Sequence, residues 1–276
     1  MKQRKIQKNH NFDYKKSLGQ NFLTDPNICP KMAQYVLGDN TGVLEIGPGA
    51  GALTKELCLV ARKVLSIEID KRLKPDLDML CNQNDNLTVI YDDIMNLDIQ
   101  NIVKEHFCDC SKIYVCANLP YYITSPVIML LLEARIFNKI IVMVQKEAAD
   151  RLCAPVGTRL SGAITVGLNL YGSAEELFFV PRDCFTPIPN VDSAVIEINT
   201  FTDNPYKIEN TKDFFSFVKK IFSQRRKSLS NSLVTATGIE KSTIIDKLKN
   251  FEVETNARAE NLDMSTLVKL YKDLKM

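Results

Sequence analysis

An α/β fold, with a doubly wound parallel sheet followed by a small all-α region, is predicted by three observations. Short apolar runs recur through residues 42–144, stretches of helical periodicity lie between them, and the pattern becomes wholly helical after Asn204-Pro205. The apolar runs at 42–46, 64–69, 87–90, 113–117 and 140–144 are of strand length and nearly continuous, as expected of parallel strands buried on both faces. Residues 53–61, 73–81 and 127–134 read as the helices that cross between them. Two further strands are expected at 176–180 and 191–198, separated by a Pro-rich loop over 181–189 and suited to an antiparallel edge. Helices are expected over 213–222, 241–248 and 265–274. The organisation that follows is a flexible basic arm at 1–16, an α/β domain at 17–203 and a helical domain at 204–276. No internal repeat or long low-complexity tract interrupts it.

A chain of 276 residues, 45% of them apolar, can form one large packed domain and a small one. No apolar run reaches 18 residues, and residues 1–10 lack the apolar core of a signal peptide, so a cytoplasmic location without membrane contact is expected. None of the eight cysteines forms a CxxC pair, and Cys108-x-Cys110 has no matching partner pair. Reduced thiols and no bound metal are expected. The net charge of +2 conceals segregation. Residues 1–16 carry six Lys/Arg against one Asp, residues 207–276 carry fourteen Lys/Arg against nine Asp/Glu, and the segment between is therefore net −8. Basic ends flanking an acidic centre suggest an anionic macromolecule gripped from two sides, nucleic acid in particular.

The run Val43-Leu44-Glu45-Ile46-Gly47-Pro48-Gly49-Ala50-Gly51 is a strand passing through a glycine turn into a helix, a geometry that lets backbone approach a ligand. Its G-x-G-x-G spacing is not the dinucleotide fingerprint, because Ala52 takes the last glycine position, and no Lys-Ser/Thr follows to make a P-loop. Glu45 would repel a pyrophosphate but suits a cationic amino group. Glu68, 21 residues beyond Gly47, stands where a carboxylate grips a ribose diol, with Ile69 beside it. Asp93 after the third strand is placed to accept from an adenine amino group, with Ile94 against the ring. Acids at three successive strand ends point to S-adenosylmethionine rather than a nicotinamide cofactor, and hence to a Rossmann-like class I methyltransferase sheet.

At the end of the fourth strand stands Asn118-Leu119-Pro120-Tyr121. The Asn118 amide, the Leu119 carbonyl held by Pro120, and the Tyr121 ring suit the grip of a flat conjugated amine. Two acceptors on the N–H bonds of an adenine amino group would free its delocalised lone pair for attack on a methyl donor. The same four residues also end ordinary strands at a turn, a reading that the three acids weigh against.

The chain as a whole resembles the small-subunit (16S) ribosomal RNA adenine N6,N6-dimethyltransferases (the KsgA type). The matching stretches are Gly19-Gln20-Asn21-Phe22-Leu23-Thr24-Asp25, Ser66-Ile67-Glu68-Ile69-Asp70, Asn118 to Pro126 and Met143-Val144-Gln145-Lys146-Glu147. Phe185-x-Pro-x-Pro, Val191-Asp192-Ser193-Ala194-Val195 and Phe222-x-Gln224-Arg225-Arg226-Lys227 complete them. The resemblance implies that Asn21 and Leu23 line the methionine end of the cofactor, with Gly47, Gly49, Glu68, Asp93 and Asn118 completing that site. It also implies that Phe185 packs the second face of the target base, while the density of Lys219, Lys220, Arg225, Arg226 and Lys227 on a basic helix, with Phe222 nearby, points to RNA contact rather than a plain solvent face. The implied partner is a precursor of the small ribosomal subunit and its 16S rRNA, met by a monomer, with two adjacent adenosines of a 3′-terminal hairpin as target. The large-subunit adenine methyltransferases of macrolide resistance and a non-catalytic assembly factor on the same fold are the competing readings. Ala117 stands where the family commonly has glycine, and Asn190 where it frequently has lysine.

Overall fold

The computed structural model describes residues 22–224 and 226–274. Strands β2 (Thr41–Ile46), β3 (Lys63–Ile67), β4 (Leu87–Ile90), β5 (Lys112–Asn118) and β6 (Lys139–Gln145) run parallel. They belong to a seven-stranded sheet of order β4-β3-β2-β5-β6-β9-β7, in which β7 (Gly172–Val180) and β9 (Ser193–Thr200) form the antiparallel edge. A separate two-stranded ribbon pairs β1 (Phe22–Leu23) with β8 (Phe185–Thr186).

The pleat explains why the inner strands read as unbroken apolar runs. Val43, Val64, Cys116 and Ile141 point into one apolar layer, and Leu44, Leu65, Val115 and Ile140 into the other. Helices α1 (Ile28–Gln34), α2 (Ala52–Val60) and α3 (Lys74–Gln83) cover the first layer. Helices α4 (Ile99–His106) and α5 (Thr124–Ala134) cover the second. With both faces closed, every residue of β2 is buried, Glu45 included. The chain runs outward from β2 to β4 and then returns to β5, so the strand order reverses between β2 and β5. In open α/β sheets that reversal makes a ligand crevice at the carboxyl ends of the strands.

After α6 (Lys146–Leu152) and α7 (Ala163–Asn169), helices α8 (Thr211–Phe222), α9 (Leu229–Thr237), α10 (Lys241–Asn250) and α11 (Met264–Leu274) form the all-α region. The boundary expected near residue 203 falls in the segment between β9 and α8. One apolar core nevertheless runs from Val115 through Val166 and Leu168 to Phe214, Leu233 and Leu267. The approach of α7 to α8 is close, for a Cβ added at Gly167 would lie 2.6 Å from the Phe215 ring.

Three sequence expectations change. The strand expected over 64–69 ends at Ile67, because the Glu68 carboxylate accepts the Asp70 N–H at 2.8 Å and turns the chain. The basic helix expected to carry Lys219 to Lys227 stops at Phe222, with the Ser223 N–H bonded to the Lys219 and Lys220 carbonyls. Arg226 and Lys227 are exposed in the turn that leads to α9. Helices α1, α4, α6, α7 and α9 were not singled out by periodicity; α6, α7 and α1 are only seven residues long, and α9 is rich in Ser and Thr. All eight cysteines are free thiols, and no helix among the described residues is long and apolar enough to cross a membrane.

Candidate functional site

A cleft opens at the carboxyl ends of β2, β3, β4 and β5, where the strand order reverses. Its floor is the glycine turn after β2. Gly47, Gly49 and Gly51 all have positive φ (68°, 56° and 78°). At Gly49 the requirement is local crowding as well as backbone angle, since an added Cβ would stand 3.1 Å from the Phe22 ring of β1. At Gly51, the residue before α2, a Cβ would collide with Leu80 of α3 at 2.2 Å. This last glycine therefore serves helix packing, a role its spacing does not reveal.

Glu68 ties the turn to the end of β3. One carboxylate oxygen accepts the Gly49 N–H at 3.1 Å and the other accepts the Asp70 N–H at 2.8 Å. Burial raises its pKa, while the N–H groups of Asp70, Gly49 and Ile69 oppose that rise. Each oxygen keeps a lone pair for a ligand hydroxyl. Asp93 caps the 3₁₀ turn Ile94–Asn96, with Oδ1 accepting the Met95 N–H at 3.0 Å and Oδ2 left for an incoming donor among the described residues. Ile94 is buried beneath the cleft and Ile69 is exposed beside it, so two apolar faces flank the Glu68–Asp93 edge.

Glu45 sits under the turn with Oε2 accepting from the Thr54 hydroxyl at 2.8 Å and the Ser66 hydroxyl at 2.7 Å. Burial lifts its pKa to about 7; the two hydroxyls pull it down and the Glu68 charge pushes it up. The folded chain thus keeps a proton that the unfolded chain releases above pH 4.5. Stability from this group is intact below pH 4.5 and is lost as pH rises to about 7, by on the order of 3 kcal/mol. Urea unfolding at pH 5.0 and 7.5 is expected to show that loss in the parent and a flattened dependence in Glu45→Gln. An unchanged pH dependence in the variant would show that Glu45 does not carry it.

The Asn118–Tyr121 run arrives beside the turn: a Cβ built on Gly47 lies 3.9 Å from Pro120 Cδ. Asn118 is the last residue of β5, paired with Met143 of β6, and the Leu119 N–H bonds to the Met143 carbonyl at 3.2 Å. The Leu119 side chain is buried in the core, which fixes its backbone. Among the described residues nothing donates to the Leu119 carbonyl, and the half-exposed Asn118 amide makes no hydrogen bond. Tyr121 opens a 3₁₀ turn (Tyr121–Ile123), half-buried, with its hydroxyl 2.9 Å from Ser193 Oγ. Two unspent acceptors and an aromatic ring therefore meet at the edge of the acid-lined cleft.

A family model described as ribosomal RNA adenine dimethylase matches residues 11–275. The chain belongs to the ribosomal RNA adenine dimethylase family. It is 40% identical over 272 residues to the ribosomal RNA small subunit methyltransferase A of Bacillus pumilus, covering 97% of this chain and 93% of that one. It is 43% identical over 267 residues to the protein of the same name from Geobacillus thermodenitrificans, covering 95% and 91%. Among solved structures, a dimethyladenosine transferase from Plasmodium falciparum superposes with a TM-score of 0.73 at 25% identity, covering 92% of this chain and 98% of that chain. The 23S rRNA methyltransferase ErmE superposes at 0.68 and 25% identity, covering 93% and 100%. This family member is a methyltransferase on a Rossmann-like class I sheet, and S-adenosylmethionine is its methyl donor.

The residues present fit that cofactor: a carboxylate with lone pairs to spare, an acceptor at Asp93, flanking isoleucines and a buried acid beneath the turn. Leu23 of β1 also lines the cleft. Other expected site residues stand elsewhere. Phe185 does not offer a face to a base; it pairs with Leu23 in the ribbon and is buried among Met143, Val180 and Val195. Asn21, Arg225 and the basic arm at 1–16 lie outside the described residues. Sequence reasoning missed Cys29 and Met32 of α1, Phe22, and the exposed Tyr122, all of which line the cleft. Phe22 sat within a quoted motif, and Tyr122 directly follows Tyr121, whereas nothing local signals Cys29 or Met32.

Proposed function

We propose that this family member dimethylates the N6 amino groups of two adjacent adenosines in a 3′-terminal hairpin of 16S rRNA, acting on a precursor of the small ribosomal subunit. The observation that carries the reading is the meeting of two unspent acceptors, Asn118 Oδ1 and the Leu119 carbonyl, with the Tyr121 ring beside the glycine turn. Bound S-adenosylmethionine supplies an electrophilic methyl group. The Glu68 carboxylate holds the ribose, Asp93 Oδ2 accepts from the adenine amino group, and Ile69 and Ile94 enclose the ring. In the first transfer Asn118 and the Leu119 carbonyl accept the two N6–H bonds of the target base while Tyr121 stacks on it, which orients the nitrogen lone pair toward the methyl, and in the second the one remaining N–H keeps one of these acceptors. The methylated amine carries one extra proton, which passes to solvent, so no acid or base is required of the protein. The exposed Lys219, Lys220, Arg226 and Lys227 lie at the end of α8 and the turn after it, and supply phosphate contacts.

The reading is tested by offering the purified protein small and large ribosomal subunits from cells lacking the gene, with methyl-labelled S-adenosylmethionine. The expected result is N6,N6-dimethyladenosine in 16S rRNA alone, located by mass spectrometry of RNA fragments. Label confined to the large subunit would replace the reading with the macrolide-resistance activity. No label in either, with cofactor bound in calorimetry, would leave a non-catalytic assembly factor.

A further inference from the structure

We infer that Ser193 is a positioning residue for methyl transfer, holding the Tyr121 ring in the plane on which the target base stacks. The inference rests on the adenine-methylating reading above. Tyr121 lies on a single 3₁₀ turn, a segment with little local support: its nearest backbone bond is from the Ile123 N–H to the Pro120 carbonyl at 3.2 Å. The adjacent Tyr122 on the same turn is 55% exposed and makes no hydrogen bond among the described residues. Tyr121 differs because its hydroxyl reaches Ser193 Oγ at 2.9 Å, across 72 residues of sequence. A stacking platform must keep its ring plane before the base arrives, since ordering a loose side chain at the moment of binding subtracts from affinity.

Ser193 is built to be that anchor. It is fully buried and opens β9, where it pairs with Gln145 of β6 on one side and Val180 of β7 on the other. The preceding residue is clamped twice: the Asp192 carbonyl accepts the Lys146 N–H and its carboxylate accepts the Arg182 N–H, both at 3.0 Å. Lys146 in turn forms ion pairs with Asp150 and Glu176. The Ser193 backbone is thus fixed between two neighbouring strands, and its buried hydroxyl anchors a ring on a single 3₁₀ turn without touching substrate. A serine suits the position because it carries a hydroxyl on the smallest side chain that fits a site with no exposure.

The test uses Ser193→Ala, Tyr121→Phe and the double variant, assayed on undermethylated small subunits. Each single change removes the tether and keeps the aromatic ring. Both are expected to lower kcat/KM by roughly three- to tenfold, with cofactor Kd at the parental value and a melting temperature lowered only by the loss of one hydrogen bond. The double variant is expected to lose no more than either single one, since the two changes delete the same contact. Parental kcat/KM in both single variants, or fully multiplicative losses in the double variant, would overturn the inference. Should Ser193→Ala melt well below the parent, Tyr121→Phe decides the matter through the same kcat/KM and cofactor measurements. The two failures are distinguishable: inactivity of the parent enzyme on small subunits refutes the adenine-methylating reading, whereas an active parent with insensitive variants refutes only the role of Ser193.

Discussion

Asn118→Ala is expected to slow methyl transfer by about 10²–10³-fold, the cost typical of losing one preorganised hydrogen-bonding group at a reacting centre. The backbone of Asn118 is held at the end of β5 by its pairing with Met143, which places the amide at the cleft. Its side chain is half-exposed and makes no hydrogen bond in the folded protein among the described residues, so truncation leaves no buried group unsatisfied. Stability is therefore expected to change by less than about 0.5 kcal/mol. The decisive measurement is the single-turnover rate with saturating RNA and cofactor, which separates chemistry from binding. A rate within a few fold of the parent would remove Asn118 from the reacting centre and return the Asn-Leu-Pro-Tyr run to a strand-ending turn.

The parts of this protein that were legible in its sequence are those set by local pattern. Strands buried on both faces read as nearly continuous apolar runs, and those ending near Ile46 and Val144 mark them, while the edge strand ending at Ile90 exposes Thr88. The acids at the strand ends were legible too, and the strand order that the structure supplies gathers them into one crevice at the switch point. What was not legible depends on contacts between distant segments. The partner of Tyr121 is 72 residues away, and the Val-Asp-Ser-Ala-Val run names Ser193 without saying what its hydroxyl meets. The family resemblance implies Phe185 as a second stacking ring, but the β1–β8 ribbon turns it into the core. The Gln-Arg-Arg-Lys run looked helical by continuity with Phe222, yet α8 closes at Ser223 and leaves the two described cations on a turn. Helix α1 is only seven residues long, and the helical spacing of Ile28, Cys29, Met32 and Ala33 marks a buried face without saying that Cys29 and Met32 line the cleft.

Glu68 braces the glycine turn and is proposed to hold the cofactor ribose, so Glu68→Ala is expected to have the largest effect on cofactor affinity. Truncating one side of a buried, hydrogen-bonded charge contact costs about 2–5 kcal/mol, which corresponds to a loss of roughly 30-fold or more in Kd. Part of that loss comes from the empty protein. Without the carboxylate the Gly49 and Asp70 N–H groups lose their acceptors, and a glycine turn with φ of 56° at Gly49 has less to hold it against β3. An unfolding midpoint below that of the parent is expected from this share, as each buried donor left without a partner costs about 1–3 kcal/mol. Glu68→Gln divides the two contributions. Its carbonyl can still accept one of the two backbone N–H groups, but its amide sets donor against donor at the other, so the turn is half-restored and the negative charge is gone. Calorimetric Kd values for S-adenosylmethionine, read beside urea midpoints for all three proteins, separate the pin from the ligand contact. If Glu68→Ala binds the cofactor within threefold of the parent while its midpoint falls, Glu68 is a brace of the turn alone and the ribose must be held by another group. If Kd rises in Glu68→Gln as steeply as in Glu68→Ala with the midpoint largely recovered, the lost affinity belongs to the charged oxygens facing the ribose.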